Sequence, residues 1–367
     1  MVPRSSIDND SLSKREQLRA SAWSQRFNMK SRALFMAPMT TWSSNPDLTV
    51  SADELRYYKR RAANVDYVIT GCTFALRRQQ GFTRQFYAGS DDYVASLITL
   101  VEAIHGGGAK AILQVHSPGR MVSAELQTDP TIEVVSASAV RPDRAGYRTP
   151  RALTVPEIKT ITHSYYDVTV RAIQAGFDGI EIHGANTYLP QQFVSPLTNH
   201  RTDEYARDGL LFIRELVDAV LKARGDARRT DFIVGYRFSP EEKEEGGLRL
   251  EHTFGLLDAL CSWPIDYVHA SLERYDRTSY FNDTVIVDAL RNCVRQRKPL
   301  IGVGKIKTRE DISRALSLGF DHLAMGTILL LNPDWRTTTR LNMEISEASL
   351  PPDIPPRMRD MLLKMFV

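Results

Sequence analysis

Eight short apolar runs, each followed by a longer stretch with helical spacing, constrain the fold of this chain more than any other feature. The runs are continuous, which is typical of strands covered on both faces, and their alternation with helical stretches indicates parallel βαβ units. We predict strands at residues 34–39, 67–70, 111–115, 179–183, 232–238, 266–270, 299–303 and 322–325. Eight repeats over roughly 300 residues favour an α/β fold of the (β/α)₈ TIM-barrel type over an open doubly wound sheet.

The stretches between these strands contain helix starts and one long insert. Ser51 with Glu54, and Thr154 with Glu157, form the S/T-x-x-E pattern that satisfies backbone donors at a helix N-terminus. We divide the chain into an N-terminal extension (1–30), expected to be partly an expression tag or disordered, a single barrel (31–345) and a C-terminal tail or helix (346–367). The insert 118–150 follows strand three, where a loop at the C-terminal face of a barrel is expected to act as a lid.

Composition narrows the class of protein. The chain is 43% hydrophobic and 25% charged, which is typical of a globular protein with a large core. Its net charge is only +3 and the basic residues are scattered, so we predict no nucleic-acid partner. Cys72, Cys261 and Cys293 lie too far apart to indicate disulfides, a metal site or an iron–sulfur site. We find neither a signal-peptide core nor a stretch of membrane-spanning length, and predict a cytoplasmic protein without membrane contact. The oligomeric state stays open, a homo-oligomer included.

Polar residues cluster at the predicted strand ends, where barrel enzymes carry their reacting groups. They are Thr40, Thr41 and Trp42 after strand one, Gln114 and His116 in strand three, His183, Asn186 and Tyr188 after strand four, Arg237 in strand five and His269 in strand six. One polar residue in such a place often only caps backbone groups. The whole set favours a small-molecule ligand.

Arg237 and two glycine turns extend this set. A guanidinium cannot lose its charge, so a buried Arg237 needs an anionic ligand or an acidic neighbour, and both readings stay open. Glu181 lies on an inner strand without an obvious partner. The turns Gly304-Lys305 and Met325-Gly326-Thr327 follow strands seven and eight, the usual phosphate site of a barrel, although glycines also end strands for steric reasons.

Five motifs occur in order along residues 32–335. They read MAPMT (36–40), QVHSPGR (114–120), HGANTYLPQQFVSP with NHRTDEY (183–205), YRFSP (236–240) and NPDW (332–335). Together they resemble the old yellow enzyme family of FMN-dependent NAD(P)H:flavin oxidoreductases and ene-reductases. The long fourth-strand motif is too specific to be a chance match.

The resemblance implies a role for each strand-end residue. Thr40 would lie near the reactive N5 of FMN, Gln114 would bond the pyrimidine edge, and Arg237 would neutralise charge at N1 and O2. His183 and Asn186 would hold a substrate oxygen, while Tyr188 would protonate the α-carbon after hydride addition to the β-carbon. The remaining implied cofactor contacts are Pro38, Met39, Cys72, Gly304, Lys305, Met325, Gly326 and Thr327, and the implied pocket residues are Trp42 and His116.

The sequence also departs from the family pattern. Gly326-Thr327 stands where the family has Gly-Arg, so a bidentate phosphate contact is missing, and Lys305 could supply only a point charge. Thr187 replaces a glycine, and Ala206-Arg207 replaces Gly-Gly. NADH and NADPH are both open as donors, and so is the physiological substrate. Two alternatives remain: a flavin-free barrel acting as a binding or scaffolding module, and a phosphosugar isomerase or aldolase, which would need a lysine or carboxylate base at a strand end.

Overall fold

Eight parallel strands form a closed barrel in the computed structural model, which describes residues 32–295 and 297–366. They are β1 (Leu34–Met36), β2 (Tyr67–Ile69), β3 (Lys110–His116), β4 (Gly179–Gly184), β5 (Ile233–Phe238), β6 (Tyr267–Ala270), β7 (Leu300–Val303) and β8 (His322–Met325). Neighbours pair in chain order, and β1 pairs in parallel with β8 to close the ring. All eight predicted strands and the (β/α)₈ architecture are confirmed.

Helices surround the barrel. They span Ala52–Ala62, Val94–His105, Val155–Gln174, Leu189–Val194, Glu204–Arg207, Leu211–Asp226, Leu250–Ser262, Ile286–Val294, Arg309–Leu318, Thr327–Leu331 and Pro356–Phe366. Both predicted helix starts are confirmed, because Glu54 and Glu157 each accept the backbone N–H of the capping residue three positions earlier. In the part of the chain that the structure describes, no helix is both long and apolar enough to cross a membrane.

The barrel interior changes from apolar to polar along the strands. A cluster that includes Phe35, Tyr67 and Ile301 fills one level, with the Phe35 and Tyr67 rings stacked at 4.6 Å between centroids. Nearer the C-terminal ends, Gln114 on β3 pairs in register with Glu181 on β4. A ligand at this end therefore meets hydrogen-bonding groups above a closed apolar layer.

The insert 118–150 folds against the helix Leu189–Val194. Its short strand Val135–Ser136 pairs with Arg151–Ala152, and the Ser136 hydroxyl donates to Gln192 Oε1 at 2.9 Å. The backbone N–H of Arg120 donates to the same oxygen at 3.2 Å. The insert thus lies beside the loop after β4, and its action as a lid stays a prediction.

The C-terminal segment packs back on the barrel through a buried arginine. Arg61 is fully buried, and its Nη1 lies 2.6 Å from Asp353 Oδ2 and donates to the Tyr57 carbonyl at 3.1 Å. The helix Pro356–Phe366 follows, in the region expected to be a tail or helix. The other predicted domain boundaries stay predictions, and the extension 1–30 lies outside the described residues.

We expect Arg61→Met to lower the free energy of unfolding by roughly 2–3 kcal/mol, because removal of one partner leaves a half-buried carboxylate undercompensated. Arg60, whose Nη1 lies 2.7 Å from Asp353, keeps part of the pairing. Urea unfolding measures the loss. The control is Arg56→Met, since Arg56 is 64% exposed in its pair with Asp53 and should change little. Equal stability of the two variants would contradict the assignment.

Candidate active site

Arg237 on β5 is a buried guanidinium with few partners. Its Nη2 donates to the Ser271 hydroxyl at 3.0 Å, while no residue that the structure describes accepts a hydrogen bond from its buried Nε. Within the described residues no carboxylate forms an ion pair with it, although burial lowers the pKa of Arg237 and the charge of Glu181 opposes that shift. A buried N–H without a partner costs free energy. Arg237 is therefore available to an electron-rich acceptor.

Glu181 lies fully buried beneath this end of the barrel, and the expectation that it lacks a partner is wrong. Its carboxylate accepts from Gln114 Nε2 at 2.7 Å, from the Tyr267 hydroxyl at 2.9 Å and from His269 Nδ1 at 2.9 Å. Gln114 lies on β3, which neighbours β4, whereas Tyr267 and His269 lie on β6, two strands from β4 in the closed barrel. Burial raises the pKa of the Glu181 carboxyl, but the neighbouring positive charges and hydrogen bonds outweigh burial and hold the pKa below its ordinary value.

Gln114 is oriented by this carboxylate. Because its Nε2 donates to Glu181, the amide oxygen faces the other way, and no donor among the described residues bonds it. Gln114 thus offers a buried acceptor to a ligand N–H.

Three rings meet after β3 and β4. The Tyr188 ring lies edge-on to His116 at 4.3 Å and to His183 at 4.9 Å between centroids. No residue that the structure describes bonds the Tyr188 hydroxyl, and the side chain is half-buried. Burial raises the pKa of Tyr188, so the hydroxyl keeps its proton at neutral pH. Tyr188 can therefore donate a hydrogen bond or a proton.

Hydrogen bonds fix the tautomers of both histidines. His183 Nδ1 accepts from the Ala185 N–H at 3.2 Å, which places its proton on Nε2. Gln85 is locked by the Gly81 N–H and the Cys72 carbonyl, so its Nε2, 3.3 Å from His116 Nδ1, must donate to that nitrogen. Burial lowers the pKa of His183 well below its ordinary value. His183 is thus a neutral N–H donor.

Acid should destabilise the protein partly through His116, whose pKa burial lowers from 6.5 to about 3. Its contribution is full above pH 6.5 and is lost as the pH falls toward 3, because the unfolded chain then binds a proton that the folded chain does not. Between pH 7 and pH 5 this loss is about 2 kcal/mol, and His116→Gln should remove it. Urea unfolding at both pH values measures the difference. His163→Gln, at a 73% exposed side chain, is the control and should leave the acid loss unchanged.

The loop after β4 turns through two left-handed residues. Asn186 has φ 56° and Thr187 has φ 62°, a conformation that asparagine tolerates and a β-branched residue rarely adopts. Asn186 is exposed, its N–H donates to Ser239 Oγ at 2.8 Å, and its Oδ1 accepts from Ser271 Oγ at 2.9 Å. Ser271 therefore connects Asn186 to Arg237 and leaves the Asn186 Nδ2 group as a donor.

The turns after β7 and β8 lie at the same end of the barrel. Gly304 has φ 125°, and a Cβ there would lie 2.5 Å from the Leu272 carbonyl oxygen, so the turn requires glycine. Lys305 is exposed and makes no ion pair within the described residues. Gly326 precedes the helix Thr327–Leu331, whose first amides lack intrahelical acceptors. These groups can face an anion, but without a guanidinium fork.

The remaining predicted residues surround this end less directly. Pro38, Met39 and Thr40 are half-buried after β1, and Met39 Sδ lies 3.6 Å from the position that a Cβ on Gly326 would take. Met325 pairs with Met36, and Cys72 is buried beside Gln85. The Trp42 ring contacts Phe82 edge-on at 6.2 Å between centroids, and the Phe82 ring lies 6.4 Å from His116, so Phe82 contacts both rings.

Two cavities open on either side of Thr187. One, of about 390 Å³, is lined by Asn186, Ser271 and Lys243 among others, and one of about 260 Å³ is lined by Arg120 and residues of the insert. A larger cavity of about 830 Å³ lies between the helices Leu250–Ser262 and Ile286–Val294, outside the barrel. The larger of the two cavities beside Thr187 reaches the predicted site at Asn186, and the residues that line these two cavities do not include Tyr188, His183 or Arg237.

The sequence did not reveal Gln85, Ser271 and the role of Glu181. Glu181 carried one usable signal, because it lies two residues before His183 on the same strand and so points to the same side. Gln85 and Ser271 lie in loops whose partners depend on the tertiary fold.

Comparisons with known proteins agree with this arrangement. A model of the NADH:flavin oxidoreductase / NADH oxidase family matches residues 25–345. A probable NADH-dependent flavin oxidoreductase of Bacillus subtilis, YqiG, is 38% identical over 315 residues, 84% of each chain. The NADH:fumarate oxidoreductase of Klebsiella pneumoniae is 37% identical over 82% of this chain but only 33% of its own length. A structure of morphinone reductase in complex with tetrahydroNAD superimposes with TM-score 0.74 at 27% identity, covering 88% of this chain and 92% of that one.

Proposed function

The chain belongs to the NADH:flavin oxidoreductase / NADH oxidase family, an FMN-binding family with old yellow enzyme homologues, and we propose that it reduces activated alkenes with electrons from NADH. The substrates would be enones, nitro-alkenes or quinone-like compounds. The observation that carries the proposal is a half-buried Tyr188 whose hydroxyl has no hydrogen-bond partner among the described residues and whose ring is flanked by His116 and His183, two histidines whose pKa values burial lowers.

The described residues fit FMN. Arg237 Nε is a buried donor without a partner, and Gln114 offers a buried acceptor oxygen, which match the carbonyl and N–H groups of a flavin pyrimidine edge. The amides after Gly326 and the exposed Lys305 are the groups that would hold the phosphate. The chemistry that bound FMN would supply is hydride transfer between a nicotinamide and the substrate.

The protein groups would act on the substrate's oxygen and on one carbon. His183 Nε2–H and Asn186 Nδ2 would donate to the carbonyl or nitro oxygen and so polarise the conjugated double bond. The Tyr188 hydroxyl would deliver its proton to the α-carbon. Two of these groups thus hold the substrate and the third completes the addition.

A substrate panel tests this function. FMN-loaded protein is mixed under nitrogen with NADH, or NADPH in parallel, and with enones, nitro-alkenes and quinones, and the saturated product is quantified against the nicotinamide consumed. We expect equal amounts of both, with faster turnover for NADH, the donor named for the relatives. Oxidation of NADH with no product from any compound would overturn the proposal.

The alternative of a flavin-free binding or scaffolding barrel rests on Thr327 in place of arginine. It predicts that the purified protein takes up no FMN. The isomerase or aldolase reading loses its candidate base, because Glu181 already accepts three hydrogen bonds. The cytoplasmic location, the lack of a nucleic-acid partner and the oligomeric state stay predictions from sequence.

A further inference from the structure

The barrel strands carry one carboxylate, and the proposed chemistry gives it no task. Glu181 is the only acidic residue on β1 to β8, and Arg237 is the only arginine. Both are buried and both lie at the end of the barrel that carries the site. A buried charge in this setting acts on its surroundings with little screening by water.

Three donors from two other strands hold the Glu181 carboxylate. Gln114, Tyr267 and His269 approach it at 2.7 to 2.9 Å, so both of its oxygens are used and its position is fixed. A carboxylate held by three donors is stabilised in its ionised form. Glu181 is therefore a fixed negative charge.

The groups that would face the flavin are direct neighbours of this charge. The Gln114 amide nitrogen donates to Glu181, and this hydrogen bond leaves the Gln114 amide oxygen free to accept from a ligand. Arg237 pairs in register with His183, and Glu181 lies two residues before His183 on the same strand; burial lowers the pKa of Arg237, and the charge of Glu181 opposes that shift. The carboxylate is thus placed to orient one group and to offset the charge of the other.

We propose that Glu181 is a positioning residue that orients Gln114 toward the flavin and, by offsetting Arg237, lowers the midpoint potential of bound FMN. The inference rests on the proposed binding of FMN at this site. Reduction adds electrons to the flavin, so a nearby fixed negative charge disfavours the reduced form relative to the oxidised one. Loss of that charge favours the reduced form.

Glu181→Gln removes the charge and keeps the shape. The glutamine oxygen can still accept from Gln114, and its amide nitrogen can donate to the Tyr267 oxygen or to His269 Nδ1 in the other tautomer. We expect the variant to bind reduced FMN about tenfold more tightly relative to oxidised FMN. For a two-electron couple this tenfold change is a midpoint potential more positive by about 30 mV.

The experiment measures FMN midpoint potentials by anaerobic dye-coupled titration, together with the dissociation constant of oxidised FMN. Glu181→Asp keeps the charge and should stay near the wild-type potential even if its affinity for FMN falls. Glu181→Met has the same unbranched length without charge, and replaces Glu181→Gln if that variant does not fold. The matched control is Glu242→Gln, because Glu242 is also buried and also accepts from three donors, Gln191, Ser195 and the Leu248 N–H, but lies in the loop after β5.

A more positive potential in the uncharged variants, with Glu242→Gln and Glu181→Asp unchanged, supports the inference. An unchanged or more negative potential in folded, FMN-loaded Glu181→Gln overturns it while leaving the proposed function intact. A wild-type protein that takes up no FMN would instead overturn the proposed function itself.

Discussion

Tyr188→Phe is expected to slow the reduction of an enone by about 10²- to 10⁴-fold, because the variant lacks the hydroxyl that would protonate the α-carbon. The ring stays edge-on to His116 and His183, so the packing around it should persist. Reduction of the protein-bound flavin by NADH needs no proton from this group and should keep its wild-type rate. Anaerobic stopped-flow measurement of the two half-reactions separates these effects.

A second tyrosine supplies the control for this prediction. The Tyr205 hydroxyl donates to Glu215 Oε2 at 3.0 Å, away from the strand ends, so Tyr205→Phe should leave both half-reactions unchanged. Equal slowing of flavin reduction and enone reduction in Tyr188→Phe would refute the proton-donor assignment.

Arg237→Met is expected to weaken FMN binding while changing the stability of the FMN-free protein little. The stability of the FMN-free chain should change by less than about 1 kcal/mol, because the variant no longer buries a guanidinium but leaves Glu181 without the positive charge that offsets it. FMN binding should weaken by about 10- to 100-fold, which corresponds to the roughly 1.5–3 kcal/mol that a hydrogen bond to a charged group contributes. Urea unfolding and fluorescence titration with FMN measure the two effects.

Arg61→Met is the control, because it also removes a buried arginine but is expected to change stability and not FMN affinity. Arg61 is also buried but is paired with Asp353, so its loss should destabilise the FMN-free chain and leave FMN affinity unchanged. The assignment of Arg237 would be wrong if Arg237→Met destabilised the FMN-free chain as Arg61→Met does, or bound FMN with wild-type affinity.

Local patterns were sufficient to predict the architecture. Continuous apolar runs and capping residues depend on near neighbours, so all eight strands and both helix starts could be placed. The prediction for strand one ran to residue 39, whereas β1 ends at Met36. The last sheet bond there is from the Ala37 N–H to the Met325 carbonyl, and Pro38 has no N–H to continue the pairing.

The site could be predicted only in part. Gln114, His183 and Arg237 were identifiable because the order of strands in a barrel fixes which loops share a face. The partners of Glu181 could not be identified from sequence, since they depend on which side chains of β3 and β6 come within hydrogen-bonding distance of β4. The link from Asn186 through Ser271 to Arg237 also depends on two loop conformations that no local pattern encodes.

Titration of FMN-free protein with FMN, followed by anaerobic addition of NADH, tests the central claim most directly. We expect a yellow complex with one FMN per chain, whose colour NADH bleaches and an enone restores. A protein that stays colourless through the titration, with unchanged intrinsic fluorescence, would contradict it.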